Sequence, residues 1–450
     1  MCGHSILLDD AIMMQPPPAP DANGLETRAF MPAMQHIAAH AELAVQQARC
    51  CRSQRSPASR GFVITTRLAV SLLAAVLAVM AALLTGSVRA ESWPDRFIDP
   101  EDGSFDISEY LLDHRGALPV PIIITEPAVG YGGGVALGWF SQSLRDAAAN
   151  VGASGRVTPP NIYALAVFGT ENGTKGAAVG ARMTFDEDRW RYRGVVAWTS
   201  VNLDFYGIGN DLAPGIGKIG YNLKGAASFQ EVTRRIGDTD NFVGARWLYL
   251  DLTSSFNGRE QAANLQPKGL AQRSSGLGLT LVRDSRDNIF TTRSGVEAAL
   301  DVAFYGPYVG SDDTFQTYRS HVFGYWPVHD KLVIALRADA RAARGDVPFY
   351  QFPFIDLRGA PSARYQNENI GVLEAEARYY VTPRWIALGF IGAGRAWGRG
   401  TSFDDAGTVV TKGVGFRYVL ARRLGLSMGI DIARGPEDTA FYLQMGNAWR

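Results

Sequence analysis

Hydrophobic and polar residues alternate with a period of two along most of the chain beyond Pro119. Leu424, Leu426, Met428, Ile430 and Ile432 fall on one face of a segment whose other face carries Gly425, Ser427, Gly429 and Asp431. Leu332, Ile334, Leu336, Ala338 and Ala340 likewise oppose Arg337, Asp339 and Arg341. Val296, Leu300, Val302 and Phe304 oppose Glu297 and Asp301, and Val414, Phe416, Tyr418 and Leu420 oppose Gly415 and Arg417. At the end of the chain Phe441, Leu443, Met445 and Trp449 share one face, with Tyr442, Gln444, Gly446 and Ala448 on the other. Successive side chains of a strand point to opposite sides, so this spacing predicts strands, each with one apolar face.

Turn residues divide the pattern into strands near 119–125, 129–140, 161–171, 174–185, 190–201, 220–233, 241–255, 274–283, 294–306, 313–327, 331–343, 370–381, 384–396, 411–421, 424–433 and 438–449. Several reach the length needed to cross a bilayer at a tilt; strands of soluble proteins average only ~5–6 residues. The charges on the small face require water, which a barrel lumen supplies. The expectation is therefore all-β: a transmembrane antiparallel β-barrel of about 16 strands over 119–450. If the last strand ends in the periplasm, the long loops 202–219, 256–273, 344–369 and 397–410 fall outside and the short turns 328–330, 382–383 and 422–423 inside, the usual asymmetry. The long connection 141–160 breaks it. A short N-terminal helix is expected at 106–113, where Ile107, Tyr110 and Leu111 form one apolar stripe. It belongs to a periplasmic segment, 91–118.

Residues 68–84 form one long apolar run, preceded by Arg60 and Arg67 and followed by the small-x-small site Val88-Arg89-Ala90. This reads as a signal peptide over 60–90, with the mature protein starting near Glu91. Residues 1–59 are read as an upstream extension: either the trace of a misassigned start, with translation beginning near Val63, or a long, disordered extension of the signal. The chain's 3 cysteines, Cys2, Cys50 and Cys51, lie in that extension, so the expected mature chain has no thiol for a disulfide, a metal or nucleophilic catalysis. Lys+Arg and Asp+Glu balance at 44 each, without the basic excess of a nucleic-acid binder. Mean hydropathy near zero excludes a polytopic helical membrane protein, and 49 glycines with 11% aromatics suit tight turns and aromatic girdles.

Candidate chemistry is sparse. His114, His321 and His329 are the only histidines after Glu91, and none lies in a serine-hydrolase motif, so no catalytic residue, metal ligand or cofactor is expected. Asp102, Asp106 and Glu109 match half of a calcium loop, but Ile98 and Pro100 occupy the first-half ligand positions, and an acidic helix start is the better reading. The glycines of 130–138 have no helix after them, which argues against a nucleotide loop. Arg337, Asp339, Arg341, Arg378, Arg417, Asp431, Glu297 and Asp301 either line a solute path or lock the lumen with salt bridges. Their mixed signs suit the second.

Three further pieces carry a resemblance. Ile355-Asp-Leu-Arg-Gly359 sits in the longest loop, five strands from the end; Arg283-Asp-Ser-Arg-Asp-Asn288 with Gly295 opens the ninth strand; Tyr206-Gly-Ile-Gly209 closes an earlier one. Together they resemble the BamA/TamA family of outer-membrane proteins, the bacterial surface antigen family. The resemblance implies a bacterial outer-membrane location, no enzymatic activity, and a role in outer-membrane protein or lipid assembly or in translocation. It also implies that the loop folds into the lumen. There Arg358, next to Gly359, would meet Glu376 on the next strand, where Glu374, Glu376 and Arg378 share a face. A second acid, usual in an F-x-D-x-G pattern, is replaced by Gly392 in Phe390-Ile-Gly-Ala-Gly394, so Glu374 is the expected substitute. The closing strand, with Phe441, Leu443, Met445 and Trp449, would be the insertion signal read by the barrel assembly machinery. About 28 residues separate Ala90 from the first strand, too few for the family's periplasmic POTRA domains. The chain thus resembles a barrel-only branch, and a periplasmic partner joins outer-membrane lipid among the expected partners. The alternatives are a passive channel or structural porin-like barrel and, third, an outer-membrane lipase or deacylase.

Overall fold

The computed structural model describes residues 97–149, 159–208, 218–256 and 270–449. The expected signal peptide, the upstream extension and the three cysteines lie outside them. Sixteen long strands are described: β1 (Gly116–Ile124), β2 (Gly132–Phe140), β3 (Ile162–Thr170), β4 (Lys175–Phe185), β5 (Trp190–Val201), β6 (Ile219–Arg235), β7 (Asn241–Phe256), β8 (Leu270–Asp284), β9 (Gly295–Tyr305), β10 (Phe315–His329), β11 (Leu332–Gly345), β12 (Asn369–Tyr380), β13 (Trp385–Trp397), β14 (Val409–Ala421), β15 (Leu426–Arg434) and β16 (Thr439–Met445). Each pairs antiparallel with its successor in the chain, through to β15 with β16. A two-residue piece, Asp204–Phe205, adds to the outer end of β6. The first and last strands meet at a seam, where Leu443 N–H donates to Thr125 Oγ1 at 3.3 Å. The result is a nearly closed barrel.

Its two faces are inverted relative to a water-soluble protein. On β8 the outward Leu277, Leu279 and Leu281 are 49%, 63% and 48% exposed. Arg319, Asp339, Glu374, Glu376, Arg378 and Asp431 point inward and are buried. An apolar exterior around a charged interior is stable when hydrocarbon lies outside. This wall crosses a membrane.

The long connection 141–160 has an explanation. Within 141–160 a second short helix, α2 (Leu144–Ala149), lies beside α1 (Ser108–Asp113). Asp106 Oδ1 accepts the Ser108 N–H at 2.6 Å and so starts α1. Arg145 of α2 reaches both Glu109 and Asp113 of α1 at 2.6 Å. Leu111, Leu112 and Leu144 are buried in one apolar cluster with Leu118, Leu424 and Leu426.

That cluster corrects the reading of segment 424–432. Leu424 forms part of a turn over Arg422–Leu424, and Leu426 is fully buried, so neither lies on the lipid face. The closing strand is also shorter than predicted. It ends at Met445, followed by Gly446 at φ +74°. Phe441 stays on the outside and Tyr442 turns in, as the alternation requires, and Met445 packs against the apolar cluster. Trp449, placed by the alternation on the lipid face, is instead only 2% exposed and sits against Phe323 and Tyr325 inside the barrel.

Candidate functional site

The loop between β11 and β12 re-enters the lumen as a folded-back strap. Phe354 pairs with Gln366, and Ile355 N–H donates to Tyr365 O at 3.0 Å. Arg358 lies at the turn. Gly359 has φ +94°, a backbone region open to glycine, and a Cβ there would stand 3.1 Å from the backbone at Arg434–Gly435. Its N–H donates to Tyr442 Oη of β16 at 2.9 Å, and Ser362 N–H donates to Glu126 Oε1, just beyond β1, at 3.2 Å. The strap therefore touches both sides of the seam.

The strap is seated on glycines. A Cβ on Gly392 would lie 2.6 Å from Leu357 Cδ2, and one on Gly394 would lie 2.8 Å from Ile355 Cγ2. Where the family resemblance leads one to expect a second acid, this chain has a hollow filled by Leu357.

Arg358 is held from several directions. Its Nε and Nη2 both donate to Glu374 Oε1, at 2.9 and 2.6 Å. Nη1 donates to Asp431 Oδ2 of β15 at 2.9 Å. Glu376 Oε2 is 2.6 Å from Nη2 as an ion pair, and Glu376 Oε1 accepts from Arg378 Nε at 2.6 Å. The guanidinium carbon lies 3.5 Å from the centroid of the Phe390 ring. Arg358, Glu374, Glu376 and Asp431 are all buried. Charge-assisted bonds of this kind are strong and directional.

The predicted residues Arg358, Gly359, Glu374 and Glu376 are thus brought together, with the emphasis changed. Glu376 was the expected main partner and Glu374 the substitute for the acid missing at Gly392. In the structure Glu374 takes the two aligned hydrogen bonds. The sequence reading missed three participants. Asp431 was visible only as one lumenal charge among several. Phe390 was quoted for its position in a motif, not for its ring. Trp449 donates from its indole to Glu374 Oε2 at 2.8 Å, and alternation had placed it outside.

The supporting motifs hold the scaffold. Arg286 makes two hydrogen bonds to Asp284, and Asn288 Nδ2 donates to Leu424 O across to the neighbouring turn. Tyr206 lies beneath the Arg364 guanidinium of the strap at 4.1 Å, and Ile208 pairs with Gln366. Gly209 lies outside the described residues. The half calcium loop has a different use: Arg384 binds Asp99, Asp102 and Asp106, and Arg422 binds Asp99 and Glu101. These contacts fasten the N-terminal segment to the turns at 382–384 and 422–424. The Arg384 hydrogen bond, with that from the Ser104 backbone, lowers the Asp102 carboxyl to about 2. His321 faces Glu297 at 3.1 Å. Among the described residues no cluster of three His, Cys, Asp or Glu could hold a metal.

Comparison with known families adds the decisive observation. Residues 182–356, from late β4 to the strap just before Arg358, match the Omp85 superfamily domain. Solved structures similar to this chain share low identity with it. BamA from Haemophilus ducreyi lacking POTRA domains 1–3 is similar at 12% identity and TM-score 0.49, over 74% of this chain and 69% of that one. CdiB from Acinetobacter baumannii is similar at 12% and 0.49, over 73% and 59%, and CdiB from Escherichia coli at 11% and 0.49, over 73% and 61%. This chain thus spans about three fifths of either CdiB. No curated protein matches. With its inverted wall and its similarity to the Omp85 superfamily domain over 182–356, this is an outer-membrane β-barrel.

Proposed function

We propose that this outer-membrane barrel is not an enzyme and acts in outer-membrane protein or lipid assembly or in translocation, with the Arg358 strap keeping its lumen closed at rest. The observation that carries the reading is the burial of one guanidinium among Glu374, Glu376 and Asp431. A structural salt bridge on the wall would need one carboxylate; this group reaches carboxylates on two strands while crossing the lumen on a re-entrant loop. A passive channel gains nothing from such a plug. On this reading the wall meets outer-membrane lipid, the assembly machinery inserts the barrel, and a periplasmic protein supplies client capture. The unit that does the work is 119–450, with 91–118 as its periplasmic lead.

The test is conductance of the purified protein in planar bilayers. A closed or flickering wild type that opens in Arg358→Ala supports the strap as closure. A steady, open wild-type pore assigns the protein to the passive channels.

A further inference from the structure

Trp449 is at the wrong place for a lipid-facing girdle residue, and its surroundings give it another use. Glu374 has two carboxylate oxygens. Oε1 takes Arg358, and Oε2 takes the Trp449 indole N–H at 2.8 Å. The ring is fully enclosed between Phe323 and Tyr325. Asn447, two residues earlier, donates to Ile289 O and Thr292 Oγ1. It also accepts from Arg378 Nη1 at 3.0 Å, and Arg378 in turn binds Glu376. The last residues of the chain therefore reach both carboxylates of β12 that hold the strap, one directly and one through Arg378.

The same tail continues β16. This strand pairs with β15 from Arg434↔Thr439 to Met428↔Met445 and lies at the seam. The strap binds it at Tyr442, and the tail carries it past Gly446 into the lumen.

We propose that Trp449 is a positioning residue for the strap: a C-terminal lock that orients Glu374 for Arg358, so that tail and strap are released together. The physical reason is the geometry of one buried carboxylate. An aligned donor on Oε2 fixes the plane in which Oε1 meets the guanidinium. Without it, Oε2 keeps only the longer ion pair to Arg337 Nη1 at 3.6 Å, which fixes no plane, and the Glu374 side chain is freer to rotate. The inference goes beyond the proposed function, because it applies equally to an assembly barrel, an exporter or a plugged channel.

The test uses a single cysteine in the strap of the full chain. Ser362 is buried there, and Cys2, Cys50 and Cys51 are changed to Ser so that Ser362→Cys is the only thiol. Maleimide labelling of the refolded barrel in liposomes then reports strap release. Trp449→Phe keeps the ring and removes the donor; it should raise the labelling rate about tenfold or more, the scale of one lost hydrogen bond to a charged group. Arg358→Ala should raise it further, and adding Trp449→Phe to Arg358→Ala should change little, since both act through Glu374. Phe441→Ala, on the outer face of the same strand, should leave the rate unchanged. A wild-type rate in Trp449→Phe would overturn the inference, as would rates that multiply independently in the double variant or an equal rise in Phe441→Ala.

Discussion

Glu374 is shared between Arg358 and Trp449: one carboxylate oxygen takes two guanidinium N–H groups of the strap, the other the indole of the chain's last tryptophan. Two segments distant in sequence thus depend on one side chain. The consequences of disturbing it can be ordered.

Arg358→Ala leaves Glu374, Glu376 and Asp431 buried without their common cation. Breaking a buried ion pair from one side costs about 3–5 kcal/mol. The barrel should still insert, lose heat resistance in detergent and conduct more. Glu374→Gln should cost more than Glu376→Gln, because Glu374 receives the aligned bonds. Melting of the folded band on unheated gels gives the order; a larger loss at Glu376 would restore the ranking expected from sequence.

Gly392→Asp introduces the carboxylate that the family pattern has at this position, yet it should destabilise this barrel. Its Cβ would overlap Leu357 Cδ2, and overpacking costs about 1–3 kcal/mol. Leu357→Ala should relieve most of that loss when combined with it. If Gly392→Asp alone stabilises the protein, the hollow is not filled by Leu357 as described.

The N-terminal latch should depend on pH through Asp102. Its folded-state carboxyl is lowered from 3.8 to about 2 by Arg384, so the acid is more stable ionised when docked. The latch contribution is therefore present above the unfolded value and is lost as pH falls through about 2. Asp106 shifts in the same direction: burial raises it, but its hydrogen bonds outweigh that. Protease protection of 97–113 should hold at pH 5 and fade toward pH 2. Asp102→Asn should remove much of that acid dependence, and Arg384→Ala should expose the segment at neutral pH.

Charge on the outer face of β16 should separate insertion from locking. Phe441→Asp with Leu443→Asp places carboxylates toward lipid and should block insertion; near the midplane basic residues cost ~2–4 kcal/mol and Asp somewhat less. Trp449→Phe should insert at wild-type levels. Folded, heat-modifiable protein from the double Asp variant would argue against the assignment of this face.

The strands were legible because alternation is written in consecutive residues. All sixteen appear near the positions that the two-residue period gave, the last cut short at Met445, and the helix begins at Ser108 beside Asp106. The tip of the strap was legible through a resemblance, with Arg358, Glu376 and Glu374 named in advance. What escaped lay beyond local pattern. The reach of Asp431 to Arg358 spans 73 positions. The second helix occupies six residues in a connection read only as long.

Sequence alone determined the membrane barrel, since a period of two with apolar residues on one face and charges on the other has no other stable home over so many long strands. Only the tertiary structure decided which carboxylate holds Arg358 and where the chain ends. Alternation, read past the polar Asn447, carries on to Trp449, but the strand ends at Met445 and a glycine at φ +74° follows it. The place of Trp449 goes with a buried carboxylate whose second oxygen takes the indole N–H at 2.8 Å beside a longer ion pair to Arg337, an arrangement that arises only when β12, the strap and the C-terminal residues meet in the lumen.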